Sequence, residues 1–85
     1  MIYVDSLKEC TPKKGWRWTS YCHMFADSLD ELHEFASRIG MRKAWFQDKK
    51  LPHYDLTEKR RKVAISLGAQ EVPLEWVKNK LRERR

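Results

Sequence analysis

Two cysteines in 85 residues, Cys10 and Cys22, are too few and too far apart to form a disulfide framework or a zinc knuckle, and they read as reduced structural thiols. No apolar run is long enough to cross a membrane, so no membrane partner is expected. The start Met1-Ile2-Tyr3-Val4-Asp5 also lacks the cationic and apolar segments of a signal peptide, and a cytoplasmic location follows as the expectation. Glycine occurs only three times, with no Gly-rich loop to cradle phosphate. No serine or cysteine stands in a nucleophile elbow. His23, His33 and His53 show none of the short spacings of a metal-binding helix or knuckle, so no metal and no other cofactor is assigned. Repeats, linkers and low-complexity segments are missing as well, which leaves one α/β domain over residues 1–85.

What is present points to a folded, basic domain. Trp16, Trp18, Trp45 and Trp76 raise the aromatic content and argue against disorder. Lys and Arg number 18 against 12 Asp and Glu, and the net charge of +6 favours phosphate-bearing partners through long-range attraction. A core of this size leaves little surplus stability, so association with a second copy or a ligand would help, and a homo-oligomer is expected.

Local patterns predict the elements. Ile2-Tyr3-Val4 reads as a first strand ending at Asp5, and Lys8 to Thr19, with Pro12 and Gly15, as a loop. Tyr21 to Ala26 reads as a second strand. Ser28 with Glu31 forms a capping box, Asp27 being the alternative cap, for a helix whose stripe is Leu29, Leu32, Phe35, Ala36 and Ile39 and whose stop is Gly40. Ala44 to Gln47 is expected as a strand and the lysines and Pro52 after it as a loop. Thr57 caps a second helix to about Leu67, with Val63, Ala64 and Leu67 inward and Gly68 as terminator. Gln70-Glu71-Val72 is a last strand, and Pro73 opens a third helix with Leu74, Val77 and Leu81 in its stripe and Arg82 to Arg85 at its end. The order implies a small, mostly parallel sheet covered by about three helices. In such a sheet ligands sit at the carboxyl ends of strands, where Asp5, Asp27 and Gln47 would gather.

Trp45-Phe46-Gln47, His53-Tyr54-Asp55 and Lys59-Arg60-Arg61-Lys62 concentrate aromatics, an imidazole, a carboxylate and four cations in one segment, where a structural loop needs mainly Gly, Pro, Asn and Ser. Cations in the first turns of a helix oppose its macrodipole by a few tenths, about 0.3 kcal/mol each, and a bound phosphate would compensate them. The competing reading is a solvated face neutralised by Asp48, Asp55 and Glu58. His53 is read as an exposed ligand-binding or proton-transferring imidazole, Tyr54 as a plug between sheet and helix, His23 as a core histidine and His33 as a packing or supporting one. Lys13, Lys14, Trp16, Arg17 and Trp18 interleave aromatic and basic groups as single-strand binders do, the rival being one Trp that closes the core.

The chain resembles the bacterial and phage family called Domain of Unknown Function 4031. The resemblance rests on Tyr3-Val4-Asp5, on Trp18 with Cys22-His23-Met24 and Ala26-Asp27, and on Asp30-Glu31-Leu32-His33-Glu34-Phe35-Ala36 with Ile39-Gly40. It continues through Trp45-Phe46-Gln47, His53-Tyr54-Asp55-Leu56-Thr57, Arg60 or Arg61, and Gly68-Ala69. Ser6 stands where the family carries a second acid, which argues against a two-carboxylate metal site there. The resemblance implies a compact α/β domain and a polar site of Asp5, His23, Asp27, His33, Gln47, His53, Tyr54, Asp55 and Arg60, and it implies no activity. By analogy, phage membership fits counter-defence or host takeover.

The leading expectation is a binding protein for a nucleotide or nucleotide-derived signal, acting by sequestration. Lys59, Arg60 and Arg61 would hold phosphate, Trp45 or Tyr54 would stack the base, and Gln47, His53 and Asp55 would read polar edges. The alternatives are a nucleic-acid-binding module, and a small hydrolase or nuclease with His53 as base, Asp55 orienting it, and Asp5 or His23 helping to hold a metal.

Overall fold

The computed structural model describes residues 1–83 and places ten elements in order: β1 (Ile2–Val4), β2 (Lys8–Glu9), β3 (Ser20–Ala26), α1 (Leu29–Arg38), a 3-10 turn (Lys43–Trp45), β4 (Phe46–Gln47), β5 (His53–Leu56), α2 (Glu58–Ser66), β6 (Gln70–Glu71) and α3 (Leu74–Glu83). The helix signals act as their chemistry predicts. Ser28 accepts a hydrogen bond from the Glu31 amide at 3.2 Å, and Thr57 one from the Arg60 amide at 3.2 Å. Gly40 takes φ +81°, and its amide bonds Ser37 O at 3.1 Å while the Met41 amide bonds Ala36 O at 2.8 Å, a Schellman closure of α1.

The sheet departs from expectation: it is mixed and mostly antiparallel, with strand order β4-β5-β3-β1-β6 and β2 also paired to β3. Only the β1–β6 pair is parallel. Two causes combine: β1 and β3, joined through a loop and not a helix, pair antiparallel, and β5 forms in a stretch expected as loop. β3 and β4 do point the same way, as two strands joined through a helix should, but β5 lies between them and runs against both. Trp45 belongs to the 3-10 turn rather than to a strand, and β2 interrupts what was expected as one long loop.

One face of the sheet carries Ile2, Val4, Cys22, Met24, Tyr54 and Leu56, and α1 covers it with Leu32, Phe35, Ala36 and Ile39. α2 adds only Ala64 fully, with Ile65 partly buried, whereas Val63 and Leu67, expected inward, are exposed. Arg60 and Arg61, one turn before Ala64, take the inward stripe in their place, and their guanidinium groups reach backbone carbonyls of the body. Across the sheet, α3 covers one end through Val77 and Trp76, whose ring lies 4.4 Å from that of Tyr3, and Val72 just before the helix joins them. Leu74 is exposed. The side chain of Leu81, and Arg84 and Arg85, lie outside the described residues. Trp16 covers the other end, 6.5 Å from Tyr21. Between these two aromatic covers the middle of the second face is polar. Among the described residues no helix is long and apolar enough to cross a membrane.

Candidate functional site

Asp5 follows β1 immediately and stays attached to β3, its amide bonding His23 O at 3.2 Å. It is 1% exposed, and its carboxylate accepts from the His23 amide at 2.7 Å, from Lys8 Nζ at 2.7 Å and from His23 Nδ1 at 2.8 Å. Burial alone would raise its pKa. The hydrogen bonds from His23 and Lys8 outweigh burial and hold the carboxyl below its ordinary value. Lys8 is a partner that sequence reasoning missed, although its i, i+3 spacing from Asp5 was a signal. Arg61 fixes the same corner from the side of α2, donating from Nε to Asp5 O at 2.9 Å and from its terminal nitrogen to Glu71 at 2.9 Å.

The two-residue period of β5 puts His53 and Asp55 on one face and Tyr54 and Leu56 on the other. In the β3–β5 register His23 stands directly opposite Asp55, so three polar side chains from two central strands meet. A carboxylate and a carbonyl can only accept, so each imidazole carries a proton on Nδ1: His23 donates to Asp5, and His53 donates to Leu51 O at 2.9 Å. The two Nε2 atoms then face Asp55 Oδ1, at 3.7 Å from His23 and 3.4 Å from His53. Gln47, opposite His53 in the β4–β5 register, donates to the other Asp55 oxygen. Asp55 Oδ1 is buried without a hydrogen-bond partner among the described residues. Burial works against ionising Asp55, but His53 first, then His23 and Gln47, hold its carboxyl below the ordinary range. Burial likewise opposes protonation of His53, and its contacts with Asp55 and Leu51 O raise its pKa nonetheless. The His53 side chain is 12% exposed, so this imidazole, expected on the surface of a loop, lies largely inside a strand.

A groove of about 1140 Å³ reaches this cluster through Gln47 and Asp55. Its lining includes Trp16 and Trp18 from one loop, Trp45, and Glu58, Lys59, Arg60 and Lys62 from α2. Gly15, at φ +90°, turns the chain so that Lys13 and Trp16 exchange backbone hydrogen bonds at 2.7 and 2.9 Å, which presents the Trp16 ring 4.8 Å from that of Trp18. Trp16 Nε1 is buried without a partner among the described residues. The Arg60 guanidinium lies 5.9 Å from the Trp45 ring and donates to Ile39 O at the end of α1.

The remaining candidates lie apart from the cluster. Asp27 stands at the far end of β1 from Asp5, because β1 and β3 are antiparallel; it accepts from Tyr3 Oη at 3.1 Å and pairs with the terminal amine at 3.3 Å. The expected gathering of Asp5, Asp27 and Gln47 at one sheet edge assumed parallel strands and does not form. His33 and Tyr54 bond each other at 2.7 Å on the helix-covered face, and burial raises the Tyr54 pKa. Arg17 lies over Trp18 at 5.2 Å, outside the groove wall along with Lys13 and Lys14. Cys10 and Cys22 are both free, and burial pushes the Cys22 thiol up to about 12.

Residues 2–84 match the family described as "Protein of unknown function (DUF4031)", and the chain belongs to it. Neither the curated proteins nor the solved structures contain a match to this chain.

Proposed function

We propose that the protein binds a phosphate-bearing small molecule, a nucleotide or nucleotide-derived signal, in the groove beside Asp55. The observation that carries this reading is the composition of the groove: three indole rings from two segments, Trp16 and Trp18 in one and Trp45 in the other, line one continuous space together with Lys59, Arg60 and Lys62. Aromatic faces stack on bases of any identity, and cations pair with phosphate. Two buried polar atoms without hydrogen-bond partners among the described residues belong to its lining: a donor, Trp16 Nε1, and an acceptor, Asp55 Oδ1. Buried polar groups in proteins are nearly always satisfied, so both mark positions where a ligand's own polar edge would bind. A sequestering role requires nothing beyond such a groove.

Arg60 and Arg61 play a different part from the one their sequence position implied. Arg61 is held by Asp5 O and Glu71 away from the groove, Arg60 is anchored to Ile39 O and Lys62 pairs with Glu58 at 3.9 Å, so phosphate pairing falls first to Lys59, with Lys62 exchanging Glu58 for the phosphate. The same lining accepts a short single strand, and salt separates the two readings. Nucleic-acid binding would weaken steeply with salt in proportion to the phosphates engaged. Calorimetry with mono-, di- and cyclic nucleotides is the test. Saturable heat is expected, with Trp45→Ala weakening binding by about tenfold or more through lost stacking. Absence of heat across the panel at millimolar ligand would reject the proposal.

A further inference from the structure

We propose that His23 Nε2, His53 Nε2 and Asp55 Oδ1 form a binding site for a divalent first-row transition cation of the zinc class. The inference begins with hydrogen-bond accounting. When both imidazoles are neutral, the Nδ1 proton is committed to the Asp5 carboxylate in one and to Leu51 O in the other, so each Nε2 presents a lone pair. Asp55 Oδ1 presents lone pairs to the same gap and has no donor. In that state three acceptors converge with no hydrogen between them, an arrangement that a metal cation resolves in place of a proton on His53.

The distances fit. The three ligand atoms lie within 4.8 Å of one another, and Asp55 Oδ1 is 3.4 and 3.7 Å from the two nitrogens. A tetrahedral ion with bonds of about 2.0–2.1 Å separates its ligands by roughly 3.4 Å. Two imidazoles and one carboxylate are a borderline donor set, suited to Zn²⁺ or Co²⁺ and poorly suited to Mg²⁺ or Ca²⁺, which select oxygen. Three protein donors leave the fourth position of such an ion to an outside ligand.

The surroundings have the form of a supporting shell. The Asp5–His23 contact is the carboxylate–histidine pair that fixes the tautomer and orientation of a metal-binding imidazole. Leu51 O does the same for His53. Gln47 occupies the other Asp55 oxygen, which leaves Oδ1 for the ion. All three ligands stand on paired central strands, so the geometry is set by register rather than by a loop.

This site shares Asp55 Oδ1 with the groove described above but does not rest on the nucleotide reading, and its test uses no nucleotide. Chelator-treated full-length protein is titrated with Co²⁺ and, separately, with Zn²⁺. The expected result is one equivalent of Co²⁺ bound with an intense visible band of tetrahedral type, displaced by Zn²⁺. His23→Ala, His53→Ala and Asp55→Asn should each weaken binding by roughly 100-fold or more, while His33→Ala, on the opposite face, should leave it intact. Because a ligand variant can fail to fold, imidazole nitrogen resonances of the wild-type chain provide a second readout. Zn²⁺ should move those of His23 and His53 and spare His33. Binding confined to millimolar metal, or Zn²⁺ shifts that omit either His23 or His53, would overturn the proposal and leave the cluster a His–Asp ion pair.

Discussion

A carboxylate buried as deeply as that of Asp5 persists because every approach to it is filled by a donor: the His23 amide, the His23 ring and Lys8. Asparagine has nearly the same shape and keeps one acceptor, but it removes the charge that those donors face. Asp5→Asn should therefore lower the unfolding free energy by about 2 kcal/mol, the scale for hydrogen bonds to a charged group, in urea denaturation run with chelator present. An unchanged midpoint would show that the neutral amide serves His23 and Lys8 equally well. Asp5, His23, His53 and Asp55 were all legible in the sequence as polar candidates. Their pairing was not, because the Asp55–His23 juxtaposition is a matter of strand register between residues 32 positions apart, and no local spacing encodes it. Arginine misled for a related reason. Four consecutive cations at a helix start look like an anion site, yet two of them are internal struts that satisfy carbonyls of neighbouring elements.

Helix ends were the best-read features of the fold, since a cap is a bargain among residues three or four apart. Gly40 carries the sharpest consequence of this kind. Its φ of +81° is strained for any side chain, and a Cβ there would stand 3.0 Å from the Arg60 guanidinium that bonds Ile39 O. Gly40→Ala should cost about 1–2 kcal/mol from the backbone alone, and more if Arg60 is displaced. Thermal denaturation beside the wild type measures it, and a melting temperature equal to the wild type's would refute the account. Short strands were read poorly. β2 has two residues and β5 four, and each exists because β3 offers unpaired backbone groups alongside. In β5 a signal was nonetheless present: Tyr54 and Leu56 alternate with His53 and Asp55, the period of a half-buried strand. Missing that alternation hid two of the antiparallel pairs, β3–β5 and β4–β5.

At the scale of the whole molecule the two faces of the sheet are unequal. α1 and α2 rest on a large contiguous core, whereas α3 is held by the small group of Phe25, Val72 and Val77 with Tyr3, Leu51 and Trp76 around it. Local opening follows the weaker contact, so amides of Leu74–Glu83 should exchange with solvent ahead of those in Leu29–Arg38 when hydrogen exchange is followed at native conditions. Equal protection of the two helices would contradict this ranking. The borders of the sheet carry another consequence. The strand order ends in β4 and β6, each two residues long, and Lys49 and Lys50 follow closely on β4. A neighbouring chain seeking to extend the ladder finds almost no template and a cationic flank beside it. The molecule thus resists fibre-like polymerisation, and two copies that associate have to do so through side-chain surface rather than by adding strand to strand.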